Sequence, residues 1–176
     1  MWGKYCRKWL GPVVLGCWGV GVLAAGGYYL GTHTAPLREQ GSPSVSIQEH
    51  WRVQHFLTAG CPCSAQVTKD LLATPPAEPQ EVYLLGQDDA LQQALAEHGY
   101  RVTVLDHVQA TEQFGIAGGP WLRVYTPNAE LAYSGGYAMQ RPTKLTPTRP
   151  QELVAEIMAG EQSSTLPAYG CAASGL

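Results

Sequence analysis

From His50 onward, short apolar runs alternate with segments of helical period, and that alternation narrows the possible folds more than any other feature. Trp51-Arg52-Val53-Gln54-His55-Phe56-Leu57 reads as a strand that ends in Thr58-Ala59-Gly60. Cys61-Pro62-Cys63-Ser64 then opens a helix to Ala73, with Val67, Leu71 and Leu72 on one face. Pro62 suits the first helical position, where its missing N–H is no loss. Pro75, Pro76 and Pro79 end the helix. Val82 to Leu85 reads as a second strand, and Asp88 as the cap of a helix in which Leu91, Ala94, Leu95 and His98 recur before Gly99. Arg101 to Leu105 is a third strand and Ala110 to Phe114 a short helix. Gly118-Gly119-Pro120 is a break. Trp121 to Thr126 and Glu130 to Ser134 flank Pro127-Asn128 as a hairpin, and a last helix runs from Pro150 to Ala159. The order βαβαβα, hairpin, α predicts an α/β domain over 49–160, with a central mixed, mainly parallel sheet flanked by helices.

The N-terminal part carries a topological signal. Lys4, Arg7 and Lys8 precede a stretch without charge from Trp9 to Leu37. Its apolar portion is long enough, at about 1.5 Å per residue, to cross a hydrocarbon core of roughly 30 Å. Trp2, Tyr5 and Trp9 at one end and Tyr28 and Tyr29 at the other suit the two interfaces. The bases lie on the N-terminal side alone, which predicts a cytoplasmic tail (1–8), a single transmembrane anchor (9–31) and an extracytoplasmic remainder, periplasmic across an inner membrane. A signal peptide cut near Ala24-Ala25-Gly26 is the rival reading, and lipid attachment at Cys17 a third. Residues 32–48, with Pro36, Gly41, Pro43 and several serines, read as a flexible linker. Net charge is −3. Removing the three N-terminal bases leaves −6, which argues against nucleic acid as a partner.

A strand feeding a cysteine-bearing helix start suits thiol chemistry. The thiolate is the nucleophile, and helix N-terminal amides carry roughly half a positive charge that stabilises it. Two cysteines around a proline at such a position are poor core filler. A structural disulfide or inert thiols are the bland alternatives. His33, His50, His98 and His107 have no metal-cluster spacing, and Arg123 is an odd residue for an expected central strand.

His55 to Ser64 with its helix, followed downstream by Gly115-Ile116-Ala117-Gly118-Gly119-Pro120-Trp121-Leu122-Arg123-Val124-Tyr125, resembles the thioredoxin fold over roughly residues 50–160. The added helix and strand near 88–105 resemble the insertion of membrane-anchored, extracytoplasmic TlpA-type members. Cys-Pro-Cys-Ser, Ser134-Gly135-Gly136 and Tyr169-Gly170-Cys171 resemble the bacterial proteins labelled RedB. The departure is C-x-C where thioredoxins have C-x-x-C. The resemblance implies that Cys61 is the exposed, attacking cysteine and Cys63 the shielded one. It implies that Gly119 and a cis-Pro120 face them and hold a substrate chain, with Trp121 beside them as a packing residue or a substrate contact. His55 occupies the place of a buried acid, and is either a proton relay or a half-buried strand histidine.

Residues two apart on a helix do not share a face, so a 61–63 disulfide would need a distorted helix start. Cys171, in the tail 161–176, is therefore expected to pair with Cys61 or Cys63 on oxidation. The alternative is a frayed tail whose cysteine meets nothing. The expected function is thiol–disulfide exchange with a protein substrate, at Cys61, Cys63, His55 and Cys171, without a cofactor. The alternatives are a Cu(I)-handling module with Cys61 and Cys63 as soft ligands, or a redox-inactive adaptor.

Overall fold

The computed structural model describes residues 15–27, 37, 39, 49–162 and 164–172. Two compact units divide the chain, Met1–Ala35 and Pro36–Leu176. In the first, residues 15–27 form helix α1. Among the described residues no helix is long and apolar enough to cross a membrane. The expected basic tail lies outside the described residues, as do parts of the expected anchor and most of the expected linker.

The second unit is α/β, with helices on a mixed five-stranded sheet. Its elements are β1 (Arg52–Thr58), α2 (Pro62–Ala73), β2 (Glu81–Leu85), α3 (Asp89–Glu97), β3 (Arg101–Leu105), α4 (His107–Phe114), β4 (Gly118–Gly119), β5 (Trp121–Tyr125), β6 (Leu131–Gly135), α5 (Pro150–Met158) and β7 (Cys171–Ala172). The strand order is β3-β2-β1-β5-β6, and β4 and β7 form a separate two-stranded ribbon. β1, β2 and β3 are parallel, whereas β5 runs antiparallel to β1 and β6 antiparallel to β5. β1 is central, and every residue after Arg52 in it is buried. Its buried residues include the polar Gln54, His55 and Thr58, each of which hydrogen-bonds to a neighbouring side chain or main chain.

Each sheet face has its own core. On one, Val53, Leu57, Val82, Leu84, Leu122 and Val124 pack with Val67 and Leu71 of α2, Leu95 of α3, and Leu153, Val154 and Ile157 of α5. On the other, Phe56, Tyr83, Leu85 and Trp121 pack with Ala110 of α4, Ile116 and Ala168. α4 starts three residues earlier than expected. Asp106 and Gln109 form a capping box, in which Gln109 N–H donates to Asp106 Oδ1 (2.8 Å) and Asp106 N–H to Gln109 Oε1 (3.0 Å). Such a box satisfies two otherwise orphaned amides.

Arg123, odd in the sequence, is fully buried on β5 and forms an ion pair with Glu39. Ser134 Oγ donates to Glu39 Oε2 (2.8 Å), and Trp121 Nε1–H donates to Ser134 Oγ (3.0 Å). The guanidinium also lies 5.7 Å from the Phe56 ring centroid, where the ring face attracts a cation. Glu39 bridges Ile116 and the Leu37 N–H donates to Ala168 O (2.7 Å), so these two residues of the expected linker are held against the folded unit.

Candidate active site

The site forms where β1 hands the chain to α2. Cys61 is the N-cap of α2, with extended backbone, and Pro62 follows at the first helical position. The turn between strand and helix is held twice. Cys61 N–H donates to Thr58 O (3.2 Å), and Thr58 N–H donates to Ser64 Oγ (2.9 Å). Facing this turn is the Gly119–Pro120 peptide bond, which is cis. In its thiol form Cys61 Sγ–H reaches Gly119 O at 3.7 Å. Thr58 ties the two segments together, because its Oγ1 accepts from Gly119 N–H at 2.8 Å.

The chain's C-terminal part supplies the third side. β7 pairs antiparallel with β4, placing Cys171 opposite Gly119. Thr58 Oγ1–H donates to Cys171 O at 3.3 Å. Cys61, Cys63 and Cys171 are all thiols, and no disulfide joins them.

Charge at the three thiols is not evenly shared. Cys61 is held well below an ordinary thiol pKa. Hydrogen bonding from Cys63 is the main cause. Burial opposes it, while Cys171 and the amides of Ser64 and Cys63 add to it. No side-chain hydrogen bond of full geometry caps the helix, so those amides act largely through their field. Cys63 is pushed well above the ordinary range by its donation to Cys61 and by burial, against the pull of Arg141. Cys171 is raised by burial and by its contact with Cys61. One negative charge on Cys61, with two protonated neighbours, is the arrangement all three shifts describe.

Arg141 is the residue that sequence reasoning missed. Its Nε–H donates to Cys63 Sγ at 3.3 Å. It sits in the irregular segment between β6 and α5, where no periodic pattern or motif signals a contact.

His55 is placed apart from this cluster. It is fully buried on β1, with Nε2–H donating to Gln80 Oε1 (2.8 Å) and Nδ1 accepting from Tyr137 O–H (2.7 Å). That assignment follows from Gln80 offering a carbonyl oxygen. Burial, partly offset by Gln80, lowers the imidazole to about 4, so it is neutral at ordinary pH. Among the described residues no hydrogen bond links His55 to a cysteine. Trp121 is nearly buried in the core beside the cis bond, with its indole N–H satisfied by Ser134. Among the described residues no group of three or more His, Cys, Asp or Glu side chains is placed to hold a metal ion.

No protein-family model and no curated protein matches the sequence. Solved structures share the fold, among them two uncharacterized proteins. One is an uncharacterized conserved protein from Geobacillus kaustophilus, 14% identical, with a TM-score of 0.56 over 81% of this chain and 93% of that one. The other is a hypothetical protein from Sinorhizobium meliloti, 15% identical, with a TM-score of 0.55 over 81% and 95%. At such identities the likeness is one of fold alone.

Proposed function

We propose that the chain is a thioredoxin-like thiol–disulfide oxidoreductase, anchored in the inner membrane by its N-terminal apolar segment and acting on protein cysteines outside the cytoplasm. On this reading it resembles the TlpA-type and RedB-labelled proteins. The observation that carries the proposal is the Cys61 thiol at the start of α2, facing a cis Gly119–Pro120 bond, with its anion favoured by two neighbouring thiols. A thiolate of lowered pKa at a helix start is a nucleophile at neutral pH.

In the exchange, Cys61 Sγ attacks one sulfur of a protein disulfide. A new S–S bond joins Cys61 to the substrate, and the old bond breaks. The departing sulfur keeps the electron pair and takes a proton from water. Cys63 or Cys171 then yields its proton to water and attacks Cys61 Sγ, releasing the second substrate sulfur, which is protonated in turn. Two electrons and two protons pass to the substrate, and a reduced dithiol donor restores the chain. Run backwards, the same steps oxidise a substrate dithiol. Arg141 favours the Cys63 anion needed for the second attack.

The test is exchange of the full chain with a disulfide-bonded model peptide. Cys61→Ser is expected to abolish the reaction. The double variant Cys63→Ser, Cys171→Ser is expected to halt at a mixed disulfide through Cys61. Undiminished exchange in Cys61→Ser would overturn the proposal.

A further inference from the structure

The edge beside the cis bond is not open. Gly119 and Pro120 are buried, and what pairs with Gly118 and Gly119 is the chain's own segment at Cys171 and Ala172. That segment is held along its length. Gly136 N–H donates to Leu166 O (2.8 Å), Leu166 N–H to the Tyr133 hydroxyl (3.2 Å), and Leu37 N–H to Ala168 O (2.7 Å). The fit depends on missing side chains. A Cβ on Gly170 would run into the Gly119 carbonyl, and one on Gly136 into that of Pro167.

We propose that residues 165–172 are a built-in occupant of the substrate groove. The external substrate is then an extended protein segment that adds antiparallel to Gly118–Gly119. It presents a cysteine where Cys171 sits, with glycine immediately before it. This deepens the function proposed above and rests on it. The main chain supplies the binding, as in strand addition to a free edge. The strand's pleat aims the cysteine at Cys61. The closeness of Gly119 O to Gly170 excludes any larger residue one place earlier. The tail and a protein substrate compete for one edge, so the tail must leave before a substrate enters. While docked, it keeps Cys171 beside Cys61.

Burial of Cys61, only 2% exposed, follows from this arrangement and gives a readout. The test uses the full chain and Gly170→Val, whose side chain cannot sit against Gly119. The probe is a synthetic peptide of residues 165–172 with serine in place of Cys171. It measures docking without exchange, and so separates the groove from the redox reading. Gly170→Val is expected to bind the peptide and to alkylate at Cys61 at least about tenfold faster than the natural chain, as release of a locally closed segment would give. The natural chain is expected to bind the peptide far more weakly. A peptide with valine in place of Gly170 is expected not to bind. Equal Cys61 alkylation in the two chains, or equal binding of the glycine and valine peptides, would overturn the proposal. Should Gly170→Val fail to fold, hydrogen exchange on the natural chain decides. The tail amides of Leu166 and of residues 168–172 are expected to open well before those of β1 and β5. Exchange of both only on global unfolding would make the tail a permanent strand and defeat the proposal. Peptide binding without disulfide exchange by the natural chain would instead defeat the redox reading and leave the groove standing.

Discussion

Two buried regions of the same unit treat their titratable groups in opposite ways. In the interior, His55 and Tyr137 are enclosed and both are driven to their neutral forms. The imidazole falls to about 4 and the phenol rises well above its usual range, with burial the leading cause for each. At the end of β1, Cys61 is almost as enclosed but shifts toward its anion. The difference lies in what surrounds the group. His55 has a carbonyl oxygen and a hydroxyl as partners, which a neutral ring satisfies. Cys61 has thiol donors and helix-start amides around it, all of which favour charge. Burial raises the stakes of an ionisable group, and its neighbours decide the sign.

The largest effect is expected at His55. His55→Ala opens a cavity in the core, removes one hydrogen-bond partner each from Gln80 and Tyr137, and should cost about 3 kcal/mol, measured by denaturant unfolding. The same group sets an acid limit. Its folded pKa is lowered, so the unfolded chain binds the extra proton between pH 6.5 and about 4. Stability from His55 is present above 6.5 and is lost as pH falls through that window, by about 3 kcal/mol in total. The variant should lose this dependence. It also separates the two roles open to His55. A proton relay would move the pH profile of exchange, whereas the buried network is expected to leave that profile unchanged while stability falls.

Arg141→Met tests the other region. Without the guanidinium the Cys63 anion is harder to form, so resolution of the mixed disulfide should slow about five- to tenfold, with the first attack unaffected. Rapid-quench separation of the two steps checks this, and equal slowing of both would remove the distinction between the cysteines. The smallest effect is expected at Trp121. Trp121→Phe loses the hydrogen bond to Ser134 and should cost under about 1 kcal/mol. Exchange with the model peptide should not change. A clear loss of exchange would make Trp121 a substrate contact.

Legibility in the sequence followed how local each cause was. The strand, the proline-led helix and the Gly-Gly-Pro before β5 each write their structure in adjacent residues, and all three are present. The hidden features depend on distant partners. Glu39 reaches Arg123 across 84 positions, from a stretch with every mark of a spacer. Arg141 reaches Cys63 across 78, from a segment without periodicity. β7 is two residues long, too short for an alternating pattern, and its pairing rests on glycines that look like ordinary tail composition. The capping box at Asp106 and Gln109 is the exception, a local signal that a search for apolar period alone passes over.

The claim on which the rest depends is that Cys61 carries the negative charge of the thiol cluster. Alkylation of the reduced full chain at a series of pH values, with each cysteine followed by peptide mass mapping, measures it directly. The expected result is a Cys61 rate that titrates well below an ordinary thiol, about 8.5, with Cys63 and Cys171 titrating above it. A Cys61 midpoint at or above that of Cys63 would contradict the assignment of the nucleophile.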